Sequence, residues 1–192
     1  MSPRTQAQNE EIREQSKRKI LDAALKLFAL KGFDGASVSG IAKEAGVAKG
    51  LIYNYFESKD EIVHQLVLDG MQEGENIIAE LMQKESAQEK LRFVFELSRN
   101  HLKEKFEYNK LLNMLALKLD AFPEMQDFVV EKYNGFLPLF ASVMAEAGQE
   151  NPEREARMLA AQMDGIASQY LVLKDKYPLD LMIDDLIEKY CH

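Results

Sequence analysis

Apolar residues recur along this chain at three- and four-residue intervals, and no segment shows the sustained alternation that marks a strand. From residue 12 to 31, the positions Ile20, Leu21, Ala24, Leu27 and Phe28 follow the i, i+1, i+4, i+7, i+8 spacing of one helical face, and Gly32 ends the pattern. Ser37 is placed to cap a second helix over 38–45, with Ile41, Ala42 and Ala45 turned inward and Gly46 as its left-handed stop. A third, short helix is expected over about 49–56, carrying Leu51, Ile52, Tyr55 and Phe56 toward a core. Ser58 then caps a long fourth helix opening on Lys59, Asp60 and Glu61. Further helices are expected near 86–106, 107–119, 123–147, 152–175 and 178–190. The fold class read from the pattern is all-α, with about nine helices.

Proline placement agrees with that reading. Pro123, Pro152 and Pro178 each stand where a helix can open, because proline suits the first turn. Pro138, within "NGFLPLF", is expected inside a helix, where it removes the hydrogen bond to Asn134 and bends the axis.

Charge changes the picture more than composition does. The 192 residues carry a formal net charge of -8, which argues against a general nucleic-acid coat. The charge is uneven, however: residues 1–60 hold ten Lys or Arg against eight Asp or Glu, leaving fourteen against twenty-four for the rest. The front is thus about +2 and the body about -10, so a polyanion is expected to meet the front. The single cysteine, Cys191, rules out an intrachain disulfide. No apolar leader and no run of ~20 apolar residues is visible, so a soluble, cytoplasmic, membrane-free protein is expected.

Two short helices separated by a glycine-containing turn make a helix-turn-helix, whose second helix can enter a major groove. Lys49 can neutralise a phosphate or reach a guanine edge, Tyr53 and Asn54 can bond phosphate oxygens or base edges, and Gly50 lets the backbone approach. Lys59 stands where the charge of a side chain and of a helix start act together. The candidate DNA-binding set is Ser37, Lys49, Gly50, Leu51, Tyr53, Asn54 and Lys59. Lys17, Arg18 and Lys19 are open to two readings, a solvated cluster or a contact to flanking phosphate.

The run "ILDAALKLFALKGFDGASVSGIAKEAGVAKGLIYNYFESKDEIV", residues 20–63, resembles the TetR family of bacterial transcriptional regulators. The resemblance rests on Phe28 to Gly32, on Ile41 to Val47, on Tyr53 to Phe56, and on Ser58 with Lys59. Ala48 and Leu51 depart from it, since the family usually has Ser or Thr at the first and commonly Thr or Ser at the second. The resemblance implies a DNA-binding domain over 12–60 and a helical ligand-binding and dimerisation domain over 61–192.

In the body, Phe93, His101, Met114, Phe128, Tyr133, Phe136 and Tyr170 are candidates to line a largely apolar effector cavity, against the alternative that each is ordinary core. The run "EARMLAAQMDGIASQYLV" and the last helix carry surplus apolar surface, and the resemblance implies a four-helix homodimer interface there. Met158, Gln162, Ile166, Leu179, Met182 and Leu186 are its candidate residues. Gly70 and Gly74, four residues apart on the fourth helix, permit either a hinge or a close helix approach.

Three histidines, His64, His101 and His192, suggest no triad and no metal-binding spacing, so no enzyme, no cofactor and no metal is expected. The function expected is a dimeric repressor of a palindromic operator, released by a small apolar or amphipathic effector. The alternatives are an activator of the same fold and a helical interaction protein without specific DNA binding.

Overall fold

The computed structural model describes residues 6–116 and 123–191, with side chains at 6, 7, 9, 123–125, 127–129 and 131–133 outside that description. Among the described residues there are nine α-helices, one 3-10 turn and no strand. The chain divides into two compact units, Met1–Gln72 and Glu73–His192.

The first unit contains α1 (Gln6–Gly35), α2 (Val38–Ala45), α3 (Lys49–Tyr53) and the start of α4 (Lys59–Leu81). The predicted face of α1 is buried throughout: Ile20, Ala24 and Phe28 are fully enclosed, and Leu21 and Leu27 nearly so. Ile41, Ile52, Phe56, Ile62 and Val63 fill the space opposite them, and each large side chain so buried contributes roughly 1.5–3 kcal/mol. Gly32 breaks α1 as expected, with φ 75° and ψ 166°, a left-handed backbone that glycine adopts without steric cost. Ser37 accepts a hydrogen bond from the Gly40 amide at 3.1 Å and so caps α2. Gly46 closes that helix at φ 67°.

In the second unit, α5 (Ala87–Glu104), α6 (Phe106–Ala116), α7 (Pro123–Glu146), α8 (Pro152–Leu173) and α9 (Leu179–Tyr190) enclose a second core. Leu91, Phe95, Met144, Leu159 and Ile183 form its centre, with α7 packed along α8 and α5 against α9. Caps define its helix starts: Ser86 accepts from the Glu89 amide at 3.2 Å, and Asn151 accepts from the Arg154 amide at 3.2 Å just before Pro152. Across α5 and α9, Arg99 bonds Asp184 and Lys103 bonds Asp180 at 2.6 Å. Pro138 lies inside α7, as the sequence requires.

Candidate nucleic-acid interface

The turn between α2 and α3 is tight because its backbone closes on α2. Gly46 and Val47 donate to the carbonyls of Lys43 and Ala42 at 3.3 and 3.0 Å. The five-residue α3 therefore starts at a fixed point, and Ile52 pins it by burying its side chain almost completely. The opposite side faces water: Lys49, Gly50 and Asn54 are exposed, and Tyr53 keeps 51% of its surface. The Lys49 ammonium lies 5.8 Å from the centroid of the Tyr53 ring and forms no ion pair among the described residues. A cation held against an aromatic face, unneutralised and solvated, suits a phosphate. Ser37 is exposed with its oxygen engaged in the cap, and Leu51 is half-buried. Ala48 sits at the N-cap of α3 with no side-chain bond to offer.

Two residues are placed differently from the sequence expectation. The ammonium of Lys59 donates to the carbonyls of Phe33 at 2.8 Å and Ala36 at 2.7 Å, and lies 4.4 Å from the centroid of the Phe33 ring. It thus ties the end of α1 to the start of α4. Tyr55, expected in the core beside Phe56, is only half-buried and has the Arg13 guanidinium 5.7 Å from its ring centroid. Arg13 escaped sequence reasoning. Its signal was its register: Arg13 and Lys17 prolong toward the N-terminus the same α1 stripe that carries Ile20, Ala24 and Phe28. Lys17 donates to Gln65 at 3.1 Å, whereas Arg18 pairs with Asp22 at 3.5 Å on the solvent side.

The second unit distributes the candidate effector residues unevenly. Phe136 and Tyr170 pack against its core, Phe136 stacking on Phe140 at 4.0 Å and Tyr170 meeting the edge of Phe106 at 6.1 Å. Phe93 lies under the Lys84 ammonium at 4.6 Å, and Met114 is half-buried on α6. His101 sits with Nε2 3.6 Å from the Glu73 carboxylate, which Lys105 also bonds. The Lys105 bond is the main reason the Glu73 carboxyl lies below its ordinary 4.5, with burial opposing. The side chains of Phe128 and Tyr133 lie outside the described residues.

A groove of about 430 Å³ opens between α5 and the α8–α9 connection, and of the effector candidates it takes in Tyr170. Its other walls include Lys103, Tyr177 and Lys174, the last held at φ 52°, a sterically strained value for a residue with a Cβ.

Of the candidate dimer residues, Met158 keeps 52% of its surface, and Gln162 and Met182 are half-buried. Ile166, Leu179 and Leu186 are enclosed in the core of their own chain and have little surface left for a partner. Spacing on α8 and α9 did not reveal which apolar stripe faces inward. The exposed one carries Met158, Ala161 and Val172 on α8 and Leu181 on α9.

Residues 20–66 match the family model described as bacterial regulatory proteins, tetR family. The fatty acid metabolism regulator protein of Bacillus subtilis (strain 168) is 28% identical over 178 residues, covering 88% of this chain and 90% of that protein. A crystal structure of the transcriptional regulator FadR from Bacillus subtilis in complex with stearoyl-CoA superposes with a TM-score of 0.70 at 24% identity. It covers 91% of this chain and 97% of that one. AibR in complex with isovaleryl coenzyme A and operator DNA superposes with a TM-score of 0.72 at 15% identity, covering 92% and 98%. The two structural likenesses establish the fold, and the matched segment is the one that builds the helix-turn-helix. Residues 20–66 thus carry the DNA-binding segment of the tetR family of bacterial regulatory proteins.

Proposed function

We propose that the protein is a cytoplasmic, homodimeric repressor that places the Lys49–Tyr53 helix of each protomer in successive major grooves of a palindromic operator. The half-sites then lie about 34 Å or a multiple apart. The observation that carries the reading is the outer side of α3. Lys49, Tyr53 and Asn54 stand exposed and without acidic partners among the described residues, on a helix whose inner side is locked by Ile52. Lys59 supports this surface from behind by fixing α1 to α4. Dimerisation is assigned to the exposed stripe of Met158, Ala161, Val172 and Leu181, with Gln162 and Met182 at its margin.

The effector is an acyl thioester of coenzyme A held by the second unit. Support comes from the Bacillus subtilis relative named for fatty acid metabolism and from two neighbours crystallised with stearoyl-CoA and isovaleryl coenzyme A. Binding that favours one conformation of the second unit lowers operator affinity only by the difference in effector affinity between two states.

Duplexes enriched by the full-length protein from a random pool, followed by fluorescence anisotropy, test the DNA-binding reading. The expected result is at least a tenfold preference over a scrambled duplex. The affinity should fall with salt at a log–log slope of about -0.9 per neutralised phosphate. Equal binding to both duplexes would overturn it and leave a helical interaction protein.

A further inference from the structure

We propose that Arg13, stacked on Tyr55 and carried by the N-terminal turns of α1, grips a backbone phosphate of the DNA beside the recognition helix. Arg13 lies outside the segment that the family model matches, residues 20–66, so the assignment rests on this chain's own geometry and on the DNA-binding reading above.

A guanidinium is planar, and when one face covers an aromatic ring its N–H groups remain directed outward around the edge, free for a bidentate bond to phosphate. Arg13 is so placed, 5.7 Å from the Tyr55 centroid, and Tyr55 is two residues from the exposed Tyr53. Among the described residues no carboxylate pairs with Arg13. Glu10 and Glu14 flank it in sequence, yet neither forms an ion pair with it, whereas two other cations of the same unit are paired: Arg18 with Asp22 at 3.5 Å and Lys26 with Glu44 at 2.5 Å.

Lys17, one turn along the same stripe, has the neutral Gln65 side chain as its hydrogen-bond partner. A cation serving only solubility would stand on the outer side with Arg18 and Lys19. Arg13 is exposed but stands in register with the core-facing stripe, its guanidinium over the Tyr55 ring, and such a contact lowers the ordering cost of capturing an anion. The two readings of the basic cluster thus separate by face: Arg18 is the paired, solvated member, and the phosphate contact falls one turn earlier.

The test uses full-length wild type, Arg13→Gln and Arg13→Lys with the duplex enriched from a random pool, and a set of the same duplex carrying single neutral methylphosphonates at flanking positions. Arg13→Gln is expected to weaken binding about three- to tenfold on preferred and scrambled duplexes alike. It should also reduce the salt slope by about 0.9 per half-site. One methylphosphonate position should cost wild type a similar factor and cost Arg13→Gln nothing further, while Arg13→Lys keeps most of the slope. Unchanged slope and affinity for Arg13→Gln, or a loss that depends on base sequence, would overturn the assignment while leaving the repressor reading intact. Should wild type itself show no sequence preference and no salt dependence, both readings fall. Unfolding of Arg13→Gln, seen by circular dichroism, transfers the decision to the methylphosphonate scan on wild type and Arg13→Lys. A scan without a sensitive flanking phosphate then contradicts the proposal.

Discussion

Lys49 and Lys59 look alike in the sequence, each a lysine at the start of a helix beside polar and aromatic neighbours, and the structure gives them different work. Lys49 has an aromatic face behind it and solvent in front, so its charge is available to a ligand. Lys59 turns inward and satisfies the carbonyls of Phe33 and Ala36 near the end of α1. Charge-assisted bonds to orphan carbonyls stabilise more than neutral ones, so Lys59→Ala should destabilise the first unit by about 1–2 kcal/mol. Chemical denaturation measures that loss, and a salt slope for DNA binding equal to wild type distinguishes this anchoring role from a phosphate contact. The cap at Ser37 and the left-handed Gly46 were legible because their partners lie within a few residues. The partners of Lys59 and Tyr55 come from the two ends of α1, and no local pattern encodes them.

At the scale of elements, α3 is the weakest by its own chemistry. Five residues cannot hold a helix alone, and Ala48 offers its amides no acceptor. Ala48 already has the extended backbone of an N-cap, φ -67° and ψ 140°, so Ala48→Ser should add about 0.5–1 kcal/mol of stability, read as a higher thermal midpoint. The fourth helix contributes to both compact units, Lys59 to Gln72 in the first and Glu73 to Leu81 in the second. Of the two readings for its glycines, close approach of a neighbour does not account for Gly74, since no heavy atom lies within 4 Å of a Cβ built there.

Gly74→Ala should therefore stabilise the protein by roughly 0.5–1 kcal/mol, the ordinary gain for a helix interior. If flexibility at this point serves effector response, the same substitution weakens release from DNA by effector while leaving operator affinity near wild type. A response identical to wild type would remove the hinge reading. The helix pattern itself was legible nearly throughout, because a 3.6-residue period over a long stretch is hard to mistake. Which side of α8 meets its own core was not legible: Ile166 and Met158 both belong to apolar rows, and tertiary packing alone separates the buried from the exposed.

For the whole molecule the charge is unevenly spread, with the front near neutral and the body acidic. The near-neutral front carries Lys49 on its exposed helix, and the acidic body draws on carboxylates for its own cohesion, through Glu73 with Lys105 and Asp180 with Lys103. Both carboxyls are held below their ordinary values, 4.5 and 3.8, chiefly by those lysine bonds and against the effect of burial. A carboxyl so lowered stabilises the fold above its unfolded pKa, and that contribution is lost as pH falls through the folded value. The thermal midpoint should thus decline below about pH 4.5. The decline should be shallower in Glu73→Gln, and its size modest because the pairs are largely solvated. A midpoint independent of pH between 5 and 3 would contradict this assignment, with the ordinary unfolded values near ~4 setting the window.

Whether an acyl thioester in the second unit governs the grip on DNA is decided by titrating stearoyl-CoA into the full-length protein bound to its enriched, fluorescently labelled duplex. Anisotropy is expected to fall to the free-duplex value at saturating stearoyl-CoA, with free stearate at equal concentration serving as the control for detergent-like effects. Binding that is unchanged by stearoyl-CoA, or lost equally with stearate, would contradict it.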